Sequence, residues 1–129
     1  MTGAALILVH TAQSNVEVFS GLLAELAPEV PARHLLHQEL LDESLAAGEF
    51  TPELRRRTAA AMHEAAGDAG LVLCTCSTIG PGADDAAAES SVPILRIDRP
   101  MAEKAVAMAQ HIVVAATFQT TLGPTPELL

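Results

Sequence analysis

The residues best equipped for chemistry lie in one short segment, Cys76-Ser77-Thr78-Ile79-Gly80-Pro81-Gly82, directly after the apolar run Leu71 to Thr75. Around Pro81 a helix can begin, so the segment offers backbone N–H groups, two hydroxyls and a helix dipole to an anion such as a carboxylate. The same field favours ionisation of a thiol at its mouth, making Cys76 partly thiolate near neutral pH. A thiolate beside a bound carboxylate is a base or a nucleophile. A small cysteine can also simply fill a strand end, but the Ser-Thr-Ile-Gly sequel favours the chemical role. A second polar pair, His10-Thr11, closes the first apolar run. If the strands before the two pairs are neighbours, both loops reach the crevice at the carboxyl edge of the sheet. A histidine closing a buried strand can simply be hydrogen-bonded structure, and from position alone the two readings are even; the placement opposite Cys76 tips His10 toward substrate contact.

Other chemistries are poorly supplied. Cys74 lies inside the strand and is expected to pack against a helix, and a disulfide between Cys74 and Cys76 would be strained. His10, His34, His37, His63 and His111 have no close ligand spacing to the pair, so no metal site is expected. A phosphatase loop needs an arginine six places after its cysteine, where Gly82 stands; there is neither a Gly-Lys-Ser/Thr phosphate loop nor a Gly-x-Gly-x-x-Gly after the first strand. No cofactor is implied. Asp98 reads as a helix cap, Arg55-Arg56-Arg57 as a solvated helix face, and Asp84, Asp85 and Glu89 as the exposed side of the helix after Cys76.

The elements that must position these residues alternate along the chain. Ala4 to Val9 is apolar without polar alternation, the pattern of a strand covered on both faces. Val16 to Leu26 has helical spacing, and Ala32 to Leu36 is a half-apolar edge strand. Thr51-Pro52-Glu53 starts a helix, with a hydroxyl cap, a pre-set proline φ and an acid at the positive end of the dipole. It should run to about Ala69 and stop at Gly70. Leu71 to Thr75, Val92 to Ile97 and Ile112 to Ala116 read as further strands, with a helix from about Pro100 to Gln110 between the last two. The expected fold is a three-layer αβα domain with a mostly parallel sheet of about four to five strands and right-handed crossovers. Residues 1–110 form the thiol-bearing domain. Residues 111–129 form a last strand and tail, or the start of a second domain largely absent from this sequence. Thr51-Pro52-Glu53-Leu54 recurs as Thr125-Pro126-Glu127-Leu128, where a helix opens and is not continued. Either this is a terminal fray or the sequence is a piece of a longer protein, and the second is favoured because the strand at 112–116 has no following helix to cover it.

With 129 residues the chain suits one domain, and only 2% aromatic content leaves a core of Ala, Val, Leu and Ile. Seven Lys plus Arg against sixteen Asp plus Glu, a net charge of −9, argue against nucleic acid or an anionic membrane as partner. The apolar runs are too short to span a membrane and the start lacks a secretory pattern, so a cytoplasmic address with reduced cysteines is expected.

The order of Ile7-Leu8-Val9-His10-Thr11, Asp42-Glu43-Ser44-Leu45, Leu73-Cys74-Thr75-Cys76-Ser77-Thr78-Ile79-Gly80-Pro81, Arg96-Ile97-Asp98-Arg99-Pro100-Met101 and Val114-Ala115-Ala116-Thr117 resembles the first part of the aspartate/glutamate/hydantoin racemase superfamily. The resemblance covers essentially the whole chain. It implies a cofactor-independent racemase in which two α/β domains face each other, each supplying a cysteine to one side of the substrate's α-carbon. On that resemblance Cys76 is the first-domain base, Ser77 and Thr78 seat the carboxylate, His10 and Thr11 are the polar pair after strand one, and Thr117, Thr120 and Thr121 also hold carboxylate. The second cysteine is not in this sequence, so the chain alone is expected to be inactive or nearly so.

Alternatives in the same fold are hydantoin or allantoin racemase, maleate isomerase or a decarboxylase, some of which one thiol could serve. A non-catalytic α/β binding module is the remaining reading. The expected partners are a small carboxylate substrate and either a second copy of the chain or the opposing domain, because an unpaired domain face tends to self-associate.

Overall fold

A computed structural model describes residues 4–129. The elements are β1 (Ala4–His10), α1 (Gln13–Leu26), β2 (Ala32–Leu36), α2 (Gln38–Ala47), α3 (Pro52–Ala66), β3 (Ala69–Cys74), α4 (Gly80–Glu89), β4 (Ile94–Arg96), α5 (Arg99–Met108), a 3-10 turn (Gln119–Thr121) and α6 (Pro124–Leu128). The four strands form one all-parallel sheet in the order β2-β1-β3-β4. From β1 the chain crosses outward to β2; it then returns past β1 to β3 and continues to β4. Right-handed crossovers in these opposite senses put α1 on one face and α3 with α4 on the other. The fold is the expected α/β sandwich of a sheet between helical layers.

The main core lies on the α3–α4 face. Ile7, Val9, Val72, Cys74 and Ile94 from the sheet pack against Leu40, Leu54, Met62, Ala65, Ala66, Ala83 and Ala86. Small residues let α3 and α4 approach so closely that a Cβ on Gly82 would overlap the Thr58 side chain. The α1 face is thinner, since α1 buries no residue completely. Among the described residues no helix is long and apolar enough to cross a membrane.

α3 begins as its residues require: Thr51 accepts a hydrogen bond from Leu54 N at 3.2 Å and Pro52 follows at the first helical position. It ends at Gly67, three residues before the glycine expected to stop it, and Gly70 lies inside β3. The short helix α2 was not evident in the sequence; it closes on Gly48, whose φ of 76° is open to glycine. Arg55 is exposed as expected and Arg57 partly so, but neither is idle. Each makes a two-bond fork, to Asp85 (2.6 and 2.8 Å) on α4 and to Glu43 (3.0 and 2.7 Å) on α2.

One expected strand is absent. Ile112 to Ala116 carries no regular structure, no ladder pairs it among the described residues, and Val113 is 96% exposed. Its β-branched residues fit a strand, but strand propensity is realised only against a neighbouring strand and a covered face, and β4 stretches over three residues. The chain then returns through the 3-10 turn to α6.

Candidate functional site

The direction of strand order reverses between β1 and β3, so the crevice lies at their carboxyl ends. Thr75 N donates to the Val9 carbonyl (3.1 Å) and Ile97 N to the Cys74 carbonyl (2.9 Å), which extends the pairing to the lip of the crevice. Beyond it the chain turns through Cys76 to Ile79 into α4. Ile79 is the cap residue and no side chain caps the helix. Among the described residues the amides of Cys76, Ser77, Thr78 and Ile79 have no hydrogen-bond acceptor. Unpaired amides at a helix start are the donors an anion would use.

Cys76 is partly exposed, and its sulfur has no hydrogen-bond partner among the described residues. It packs on the α3–α4 core. Ser77 is likewise partly buried, and its hydroxyl has no hydrogen-bond partner among the described residues. Cys74, two residues back, is buried as expected. Burial pushes its thiol up to about 12, and its S–H donates to the Cys76 carbonyl at 3.5 Å. Cys74 is thus a neutral support for the turn.

Thr78 is buried and meets Thr120 (3.2 Å) and Thr121 (3.1 Å) through their hydroxyls. Three of the threonines picked out by sequence, separated by some forty positions in the chain, are therefore one cluster behind the turn. Thr117 is exposed and makes no hydrogen bond to this cluster. Thr11 is buried at the end of β1.

His10 occupies a different place from the one expected. Strand alternation sends it to the α1 face, where it is 0% exposed and lies beside Phe19. Its Nδ1 bonds Thr75 Oγ1 (2.6 Å) and its Nε2 bonds His34 Nδ1 (2.8 Å). Thr75 gives its own proton to the Val9 carbonyl (3.2 Å), so His10 donates from Nδ1 and accepts at Nε2 from His34. Burial, with His34 beside it, lowers the His10 pKa to about 4. A ring with no exposed surface and both nitrogens engaged does not touch a substrate; it braces the strand ends from behind.

The sequence reading also missed Arg96. It is 5% exposed and holds Asp98 through Nε (3.0 Å) and Nη2 (2.9 Å), and Asp84 through Nη1 (2.8 Å). Burial alone would lower its pKa, and the two carboxylates outweigh that and raise it. Asp98 does stand at the cap position of α5, but its carboxylate goes to Arg96 and caps nothing. A signal was present: an arginine two places after the core residue Ile94, with an aspartate two places later, puts both charges on a buried side of the strand.

The arrangement can hold a small anion at the turn and present one sulfur to it. Comparison of the chain with protein-family models, with curated proteins and with solved structures gives no match.

Proposed function

We propose that this chain forms one wall of a cofactor-independent amino-acid racemase of the aspartate/glutamate type, with Cys76 as the base on that wall. The observation that carries the reading is the sulfur of partly buried Cys76, unpartnered among the described residues, at the head of a turn with four amides likewise unpaired. The amides, with Ser77 and the cluster of Thr78, Thr120 and Thr121 behind them, seat the substrate carboxylate. The Cys76 thiolate then takes the α-proton, becoming a thiol, and the electron pair left on the α-carbon is stabilised through the carboxylate by the same donors. Inversion requires a proton from the opposite face. Cys74 does not supply it, being buried, held as a thiol and on the same side. The second acid belongs to an opposing α/β unit, either another copy of this chain or another domain, working in the cytoplasm where both thiols stay reduced.

The single available thiol favours a second reading on the same site, a decarboxylase or isomerase of small dicarboxylates in which one sulfur suffices. A binding module with an incidental thiol is the outcome if the site fails its test. The test is iodoacetamide labelling of the whole chain, read by mass spectrometry at each cysteine. Cys76 should label much faster than Cys74, and aspartate, glutamate or malonate should slow it. Equal, slow labelling of both without protection would reject a substrate site. The chain by itself should not invert aspartate or glutamate; clear inversion would remove the need for the opposing unit.

A further inference from the structure

Arg96 is a charged side chain where the strand pattern calls for an apolar one. Burying a guanidinium costs several kcal/mol unless its protons are matched. Here the fork to buried Asp98 and the bond to Asp84 account for Nε, Nη1 and Nη2, and Asp84 is itself held by Arg99 Nη2 at 2.8 Å. Such a network stabilises little beyond what an apolar replacement would, so its value lies in what it places.

Two contacts say what that is. The Arg96 guanidinium lies against Gly80, the first residue of α4, so closely that any Cβ there would overlap Cζ, Nε and Nη2. Gly80 does not have a positive φ, so the backbone does not demand glycine; the room for Arg96 does. One turn on, Asp84 ties the same helix to the same guanidinium. Arg96 therefore grips the start of α4 at two points, directly after the Cys76–Ile79 turn. The other end of that turn is gripped by Cys74, whose S–H reaches the Cys76 carbonyl. Cys74 and Arg96 are cross-strand partners in the β3–β4 register.

We propose that Arg96 is a positioning residue for the Cys76 turn: with Cys74 it fixes both ends of the turn and so aims its free amides at the crevice. The inference rests on reading that turn as the substrate-facing element. It joins two separate sequence pieces, Ser77-Thr78-Ile79-Gly80-Pro81 and Arg96-Ile97-Asp98, into one device, and it accounts for glycine at position 80.

The test uses the full chain with Arg96→Lys, which keeps charge but loses the fork, and Gly80→Ala, which displaces the guanidinium without removing any charge. Met62→Ala, a core lesion on α3, controls for lost stability. The measurements are the pH–rate profile of Cys76 alkylation, its protection by malonate, and the thermal midpoint. Arg96→Lys and Gly80→Ala should each alter the profile and weaken protection about tenfold, with the double variant no worse than either single one. Met62→Ala should lower only the thermal midpoint. If Arg96→Lys does not fold, Gly80→Ala decides. A wild-type profile in Gly80→Ala, with at most a lowered midpoint, overturns the proposal. Absence of malonate protection in the wild type would instead strike at the substrate reading, and the altered profile would still report positioning.

Discussion

The two sides of the crevice are both polar and both buried, yet they are built in opposite ways. On the α1 side, His10, Thr75 and His34 form a chain in which every polar atom of His10 is matched and none faces outward. On the α3–α4 side, charge is used, with Arg96 between Asp98 and Asp84, and the turn in front of it keeps a sulfur, a hydroxyl and four amides uncommitted among the described residues. A satisfied network is a brace, whereas unspent donors beside a rigid support are what a ligand needs. Chemistry on this domain is therefore expected from one side of the crevice only.

The largest effect should come from breaking the charged side. Arg96→Met leaves Asp98 buried without its partner, and urea unfolding should register a loss of about 3–5 kcal/mol. Adding Asp98→Asn should recover part of it, since the cost lies in the stranded carboxylate. Equal stability of Arg96→Met and wild type would mean that the fork is open to water.

The neutral side should reveal itself through pH. His10 titrates near 4 in the fold against an ordinary 6.5, so the unfolded chain takes up its proton first. The contribution is complete above pH 6.5 and is lost as pH falls toward 4, by about 3 kcal/mol in all. Glu43 and Asp85, lowered by their bonds to Arg57 and Arg55, begin to add their own losses as pH enters the ordinary carboxylate range and continue to do so below it. His10→Asn should therefore flatten the slope of stability between pH 6.5 and 4, as followed by urea titration across pH. An unchanged slope would place the proton uptake elsewhere.

How far the sequence disclosed these two sides follows from the kind of information each needs. Cys76 and its turn were legible because a thiol, two hydroxyls and a helix start are local features, as was the cap at Thr51. The role of His10 was not, because facing α1 or facing the crevice depends on strand alternation carried to the last residue and on His34 in a strand whose register no local pattern states. Arg96 was hidden for a related reason: its meaning lies in Gly80, sixteen positions away by the numbering and in contact only once β4 stands beside β3. The two Thr-Pro-Glu-Leu copies make the point with identical residues. Thr51 caps a helix of fifteen residues; Thr125 sits inside one of five, after a cap at Gly123, with its buried hydroxyl unpartnered among the described residues.

The threonine cluster sharpens the comparison at smaller scale, because it is the only hydrogen-bonded link between the turn and the returning tail among the described residues. Thr78→Val removes one hydroxyl and leaves Thr120 and Thr121 partly unpaired, which should cost about 1–2 kcal/mol. Hydrogen exchange should rise at residues 119–128 well before it rises in β1 or β3. Uniform exchange in both would mean that the tail and the sheet open together.

The smallest effect on folding is expected where neither side of the crevice reaches. Val113 is almost fully exposed, so Val113→Glu should change stability by less than about 0.5 kcal/mol. Its interest is in association. Residues 105–126 carry no Asp, Glu, Lys or Arg in a chain of net charge −9, and Met108, Val113 and Phe118 stand exposed within them. Like-charged copies meet least repulsion at such a stretch, and unpaired backbone beside exposed apolar side chains is a template for pairing. If copies associate there, sedimentation velocity should show the wild type shifting toward dimer at high concentration and Val113→Glu remaining monomeric under the same conditions. Identical association of the two proteins would move the contact to another exposed apolar surface, such as Val18, Leu22 and Leu26 on α1.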